Sequence, residues 1–189
     1  MSSHITVGIL LAAGRGQRFD PTGARNKLTE PLSSGVPIAV QAALTLRSEL
    51  SRVIAVVRDP ELAAQLRDCG CDAYVFSGAA DGMGASLAHA MHFVASADSV
   101  LVGLADMPFI AASTIARIAQ ALAAGADIVQ PYFETQPGHP VGFARRHFNA
   151  LMQLSGDIGA RQLLRQFPVQ PIAVDDVGIV RDIDFLTDL

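Results

Sequence analysis

Apolar residues run almost unbroken through "ITVGILLAA" (residues 5–13) and stop at a glycine. Such a run predicts a strand buried on both faces. Helical spacing follows in "PIAVQAALTLRSEL" (37–50), then a strand in "RVIAVVR" (52–58). "PELAAQLRDCG" (60–70) predicts a helix with proline in its first turn and glycine at its end. "DAYVFS" (72–77) predicts a third strand, "GMGASLAHAMHFVASA" (82–97) a helix entered through glycines, "SVLVGLAD" (99–106) a further buried strand, and "STIARIAQALAAGA" (113–126) a helix. The rhythm then changes. "DIVQPYFE" and "HPVGFA" are strand-like pieces joined by the polar "TQPG", and simple parallel neighbours are not expected there. "RRHFNALMQL" and "DIGARQLLRQF" predict helices, and "VQPIAVDD" a late strand before the closing "RDIDFLTDL".

Alternating β and α elements imply helices on both faces of one sheet. The expected fold class is α/β: a Rossmann-like, three-layer α/β/α sandwich, mostly parallel with one antiparallel strand. One domain over residues 1–189 is expected, since there is no repeat, long linker or low-complexity tract. The 189 residues, 50% hydrophobic and 17% charged, can bury a sizeable core. The net charge of −4 argues against a general nucleic-acid binder. No apolar run is long enough for a spanning helix, so no membrane partner is expected. The two cysteines of "CGC" give neither a disulfide framework nor a four-ligand zinc site, and a reduced, cytoplasmic setting is the natural reading.

The candidate chemistry sits just after the predicted strands, where ligands bind in open α/β sheets. Ala12, Ala13 and Gly14 let a ligand approach the first turn, whose backbone N–H groups can cradle an anion. Arg15, Arg18, Arg25 and Lys27 can add charge-assisted bonds to phosphate oxygens. The loop therefore reads as a polyphosphate site, with a solvated basic loop as the bland alternative. It is not a P-loop, because Lys27 follows Asn26 and precedes Leu28. Nor is it a dinucleotide fingerprint, because Phe19 occupies the third glycine position. Asp106 ends an apolar strand and is placed either to hold a divalent cation or to cap a helix. Asp182 and Asp184 would share one side of an extended segment. Asp175 and Asp176 read as plain loop carboxylates.

"LLAAGRGQRFDPTGARNKL" (10–28) resembles the signature of the MobA-like nucleotidyltransferases, L-A-A-G-x-S-x-R-M-G followed by lysine. The molybdenum cofactor cytidylyltransferases are the nearest branch. Leu11, Ala12, Ala13, Gly14, Arg18 and Lys27 match the signature. Gly16 stands for serine, Phe19 for methionine and Asp20 for glycine, and the spacer before Lys27 is longer. "LTEPL" after Lys27 resembles K-L-L-x-P-L, and the likeness covers nearly the whole chain.

The resemblance implies the sheet of the nucleotide-diphospho-sugar transferases and a Mg²⁺-dependent transfer of CMP from CTP to a molybdopterin phosphate. Pyrophosphate is released, and a molybdoenzyme is the eventual recipient. It implies Asp106 as a metal ligand, through "LADMP", and Asp184 as a second ligand supported by Asp182, through "RDIDFLTDL", where Phe185 and Leu186 replace Thr and Pro. Arg18, Lys27 and Asp106 become the catalytic set. Leu11 to Arg15, Lys27, Gly82 and Ser86 become the nucleotide site. His139 of "GHP" and Arg161 of "GDIGAR" are expected at the acceptor, with Asp157 as a helix cap. His89 and His92 have a metal-like spacing but no third partner, and packing is the expectation. Three other readings stand beside this one: guanylyl or other transfer to a different small phosphate, a non-catalytic cofactor-binding accessory protein, and a nicotinamide-dependent oxidoreductase.

Overall fold

The computed structural model describes residues 4–14, 18–20, 22, 25–157 and 159–188. Its strands are β1 (Thr6–Ala12), β2 (Val53–Val57), β3 (Asp72–Val75), β4 (Ser99–Leu104), β5 (Ile128–Phe133), β6 (Gln136–Pro137), β7 (Val141–Ala144) and β8 (Gln170–Ala173). They form one sheet in the order β3-β2-β1-β4-β7-β5-β6, with β8 also on β5. The first four strands pair in parallel. β7 runs antiparallel to both β4 and β5, as the change of rhythm after residue 126 suggested.

Helices α1 (Ile38–Glu49), α2 (Pro60–Asp68) and α4 (Ala112–Ala123) cover one face. Helices α3 (Met83–Met91), α5 (Phe148–Met152) and α6 (Arg161–Gln166) cover the other. β1 shows why its sequence is continuously apolar. Leu10 and Ala12 enter one core, while Val7, Ile9 and Leu11 enter the other.

Helices α3 and α6 are shorter than expected, and so is α5. After Met91 the chain tightens into i+3 bonds, from His92 N to His89 O and Phe93 N to Ala90 O, so that Val94 and Ala97 can turn into the core. Residues Arg145–His147 form a 3-10 turn rather than the start of α5.

Helix α2 starts as expected, with Asp59 accepting a bond from Glu61 N and Pro60 behind it. Helix α4 has no cap of its own. Asp176, from the C-terminal segment, takes bonds from Ala111 N (2.9 Å) and Thr114 Oγ1 (2.6 Å). Asp176 is therefore a cap supplied from afar, which corrects its reading as a plain loop carboxylate. The same segment is drawn against the sheet ends. A Cβ on Gly178 would lie 2.1 Å from Phe109 O, so only glycine fits. Ile183 N then bonds Asp106 O at 2.9 Å, and Ile183 is fully buried with Phe19 and Ile38. Phe19, the departure from the resembled methionine, is thus a core anchor joining the first loop to the C-terminal segment. No helix among the described residues is long and apolar enough to cross a membrane.

Candidate active site

A cleft of about 440 Å³ opens beyond the carboxyl ends of β1, β3 and β4, a size that suits a small ligand. Leu11, Ala13, Gly14, Lys27, Gly82, Ser86 and Asp106 line it. Ala12 does not, because strand alternation turns it into the core under the loop. Arg15 lies outside the described residues.

Lys27 sits in a short 3-10 turn, Lys27–Thr29, whose cap is Asn26 Oδ1 accepting from Leu28 N. Its side chain is only 10% exposed and Nζ reaches Asp106 Oδ2 at 2.8 Å and Asp184 Oδ1 at 3.5 Å. Arg18, mostly exposed, pairs with Asp184 from the other side. Asp106, Asp182 and Asp184 each offer an oxygen, and the three oxygens lie within 4.8 Å of one another.

Two carboxylates at that spacing repel by about 3 kcal/mol at a near-surface effective dielectric. Lys27 and Arg18 offset the charges of Asp106 and Asp184, and the cluster keeps one net negative charge. Three hard oxygen donors are the set a Mg²⁺ or Mn²⁺ ion accepts, so these residues fit a divalent cation. The capping alternative for Asp106 fails: helix α4 begins only at Ala112, after Ala111, and its cap is Asp176.

The other predicted residues divide. Ser86 is buried and its Oγ bonds Gly82 O at 3.3 Å within α3. Arg25 is turned away from the phosphate task and forms a forked pair with Glu30, which keeps that carboxyl below its ordinary value. His139 is half-buried, and its Nδ1 is shut off from solvent with no partner. Burial holds its imidazole below the usual histidine pKa; a bond to the Val102 backbone and the charges of Asp106 and Asp182 oppose this, and Arg161 adds to it. That depression makes His139 a weak source of positive charge for an anionic acceptor.

Arg161 is exposed. Asp157 does not cap α6, whose cap position is Ala160 with no side-chain bond; it lines the cleft instead. His89 stacks on Phe76 at 4.2 Å and meets Phe93 edge-on, so the pair with His92 belongs to packing. Asn26, Ala79, Ala80, Met83 and Leu104 also line the cleft and went unread in the sequence. Only Asn26 carried a signal, as a capping residue before "KLT".

A small-residue turn after β1, a carboxylate at the end of β4 joined by two from the C-terminal segment, and a nucleoside-sized cleft beside them fit a nucleotide-binding α/β enzyme. The family model for the MobA-like NTP transferase domain matches residues 8–172, and the chain belongs to that family. It is a nucleotidyltransferase, and nucleoside triphosphates are its substrate class.

Rv0371c from Mycobacterium tuberculosis H37Rv is a similar solved structure, 27% identical over 100% of this chain and 96% of that one, with a TM-score of 0.82. Rv0371c in complex with manganese is 26% identical over 97% of this chain and 95% of that one, with a TM-score of 0.75. A nucleotidyl transferase from Methanothermobacter, Mth528, is 20% identical over 97% and 94% of the two chains, at a TM-score of 0.79, and shares the fold. No curated protein matches the chain significantly.

Proposed function

We propose that this chain is a cytidylyltransferase that moves CMP from CTP to the phosphate of a molybdopterin-type acceptor. The observation that carries the reading is the oxygen cluster of Asp106, Asp182 and Asp184 with Lys27 set into it, at the mouth of the "LAAG" turn. The Ala-Ala-Gly opening favours CTP over GTP through the resemblance. The same resemblance supports the acceptor, a molybdoenzyme as recipient, and work in the cytoplasm.

In this reading Asp106 and Asp184, with Asp182, would hold Mg²⁺. When bound, the ion would supply Lewis-acid neutralisation of phosphate charge. The chain's own cations do the rest. Lys27 and Arg18 leave their carboxylates for the β- and γ-phosphates, and the backbone amides of the first loop add to them in this reading. Leu11, Ala13, Gly82 and Ser86 hold the nucleoside. The acceptor phosphate is already ionised, so attack on the α-phosphorus and release of pyrophosphate need no general base. His139 lies close enough to Asp106 and Asp182 to sense their charges, and Arg161 is the cation proposed for an anionic acceptor.

The test is pyrophosphate release from CTP, GTP, ATP and UTP, with Mg²⁺ or EDTA, with and without molybdopterin. Release from CTP that needs both metal and molybdopterin is the expected result. Release from GTP moves the donor to the guanylyl branch. Release with another small phosphate changes the acceptor. Tight molybdopterin binding without any release leaves an accessory protein.

A further inference from the structure

Asp157 is a carboxylate in an anion's cleft with no cation to answer it. It ends the turn after α5, and that turn is clamped to the start of α3. Gly84 N donates to Gly156 O at 2.7 Å. Gly82 has φ +107, and a Cβ there would stand 2.4 Å from Gly156 C and 2.5 Å from Asp157 Oδ1. A Cβ on Gly84 would meet Ser155 O at 2.7 Å. The missing side chains of α3's first turn therefore fix where the carboxylate stands.

Its other possible duties are already filled. Helix α6 is entered through Ala160 without it, and the carboxylate takes part in no hydrogen bond or ion pair among the described residues. Asp106, the other acid on the lining, is held by Lys27.

A carboxylate only accepts hydrogen bonds, and it repels a triphosphate. Water meets this exposed carboxylate in the open cleft, and a nucleotide that displaces the water must offer it a donor instead. The phosphates belong at the Lys27 and Asp106 end. The wall of Ala79, Gly82 and Met83, where Asp157 stands, is the end left for the nucleobase. Ser86 Oγ spends its one hydrogen on Gly82 O, and the charged carboxylate is the stronger side-chain acceptor there.

We infer that Asp157 reads the nucleobase by accepting a hydrogen bond from its exocyclic amino group. This rests on the nucleotidyltransferase reading and deepens it. Cytosine offers that donor at C4. Uracil presents a carbonyl oxygen at the same position, which faces the carboxylate lone pair to lone pair. The site therefore takes an amino-bearing base and rejects a keto pyrimidine.

Binding of CTP and UTP to the full chain, measured by calorimetry at one fixed Mg²⁺ concentration, tests this. The wild type is expected to favour CTP about 10-fold or more, the size of one mispaired buried polar contact. Asp157→Asn can donate as well as accept, so it should bring the two within about 3-fold, chiefly by improving UTP. Asp157→Ala should lose CTP affinity without gaining UTP, because it offers neither donor nor acceptor. Thermal unfolding of both variants should match the wild type, because the side chain is exposed and unpartnered.

An unchanged CTP-to-UTP ratio in Asp157→Asn overturns the assignment. Equal loss for both nucleotides also overturns it, pointing to the ribose or to the turn itself. A wild type that binds CTP selectively through Asp157 but releases no pyrophosphate leaves this inference standing and sinks the transferase chemistry. A wild type that binds neither nucleotide overturns both.

Discussion

The two ends of the cleft are built by different means. At the phosphate end, charged side chains carry the design: three carboxylates lie within 4.8 Å of one another, with Lys27 at 2.8 Å from one of them. At the proposed base end the wall is made of small residues and glycine geometry, with a single exposed carboxylate on a turn that a backbone bond ties to helix α3. The first end is a cluster in which Lys27 and Arg18 already answer Asp106 and Asp184 before any ligand arrives, leaving one net negative charge for a cation. The second has one group left unbalanced. Chemistry that every nucleotide shares can be met by charge, whereas telling bases apart needs one donor or acceptor held still.

The largest effect should come from breaking the phosphate end at its centre. Asp106→Asn keeps the shape but removes a charge that the proposed metal and Lys27 both use. Turnover should fall by at least about 10²- to 10³-fold, the scale for loss of one charge-stabilising group. The unfolding midpoint should stay within a few degrees of the wild type. Substantial residual turnover would remove Asp106 from the metal site.

Gly82→Ala attacks the base end. The new Cβ collides with Gly156 and Asp157 and sits at a φ that L residues avoid, so the turn carrying Asp157 must move. CTP affinity should drop about 10- to 100-fold. The sheet and the metal cluster should persist, visible as unchanged Mn²⁺ binding by electron paramagnetic resonance. Loss of Mn²⁺ binding as well would mean the two ends are not independent.

Lys27→Met tests the balance of charge. In EDTA the variant should be less stable by about 1 to 3 kcal/mol in urea unfolding, somewhat under the usual cost of breaking a buried pair because Asp106 keeps 27% exposure. Added Mn²⁺ should restore more stability to the variant than it adds to the wild type, since metal would then replace the missing cation. Triphosphate affinity should fall in the same variant. Equal stability with and without Lys27 would mean that water alone screens the carboxylates.

Asp176→Ala should have the smallest effect. It removes the cap of α4, worth about 1 kcal/mol, and loosens the segment that delivers Asp182 and Asp184. Stability should fall by that amount, with a modest loss of turnover. Full activity would show that Ile183 alone secures the C-terminal segment.

Much of the phosphate end was legible because residue type announces charge chemistry. Asp106 at the end of an apolar strand and Lys27 after a small-residue turn stood out, and the last aspartates were visible as a pair. Their meeting was not. It depends on Gly178 admitting the chain against Phe109 and on the bond from Ile183 N to Asp106 O. Asp176 was misread for the same reason, since its partners, Ala111 and Thr114, are more than sixty residues away. Arg25 looked equal to Lys27 in sequence, but Glu30 five residues on captures it. Asp157 looked like a cap because it precedes a helix by a few residues, yet the turn delivers it to the cleft.

By itself, the sequence determined the alternation of strands and helices, the strand ends where a ligand would sit, and the family signature in the first turn. These follow from local periodicity and residue type, which are properties of neighbours in the chain. Tertiary structure alone decided which charges pair, which carboxylates cluster and which stands free. Those outcomes depend on distances between segments as far apart as Arg18 and Asp184, and Coulomb and hydrogen-bond energies act through space rather than along the chain.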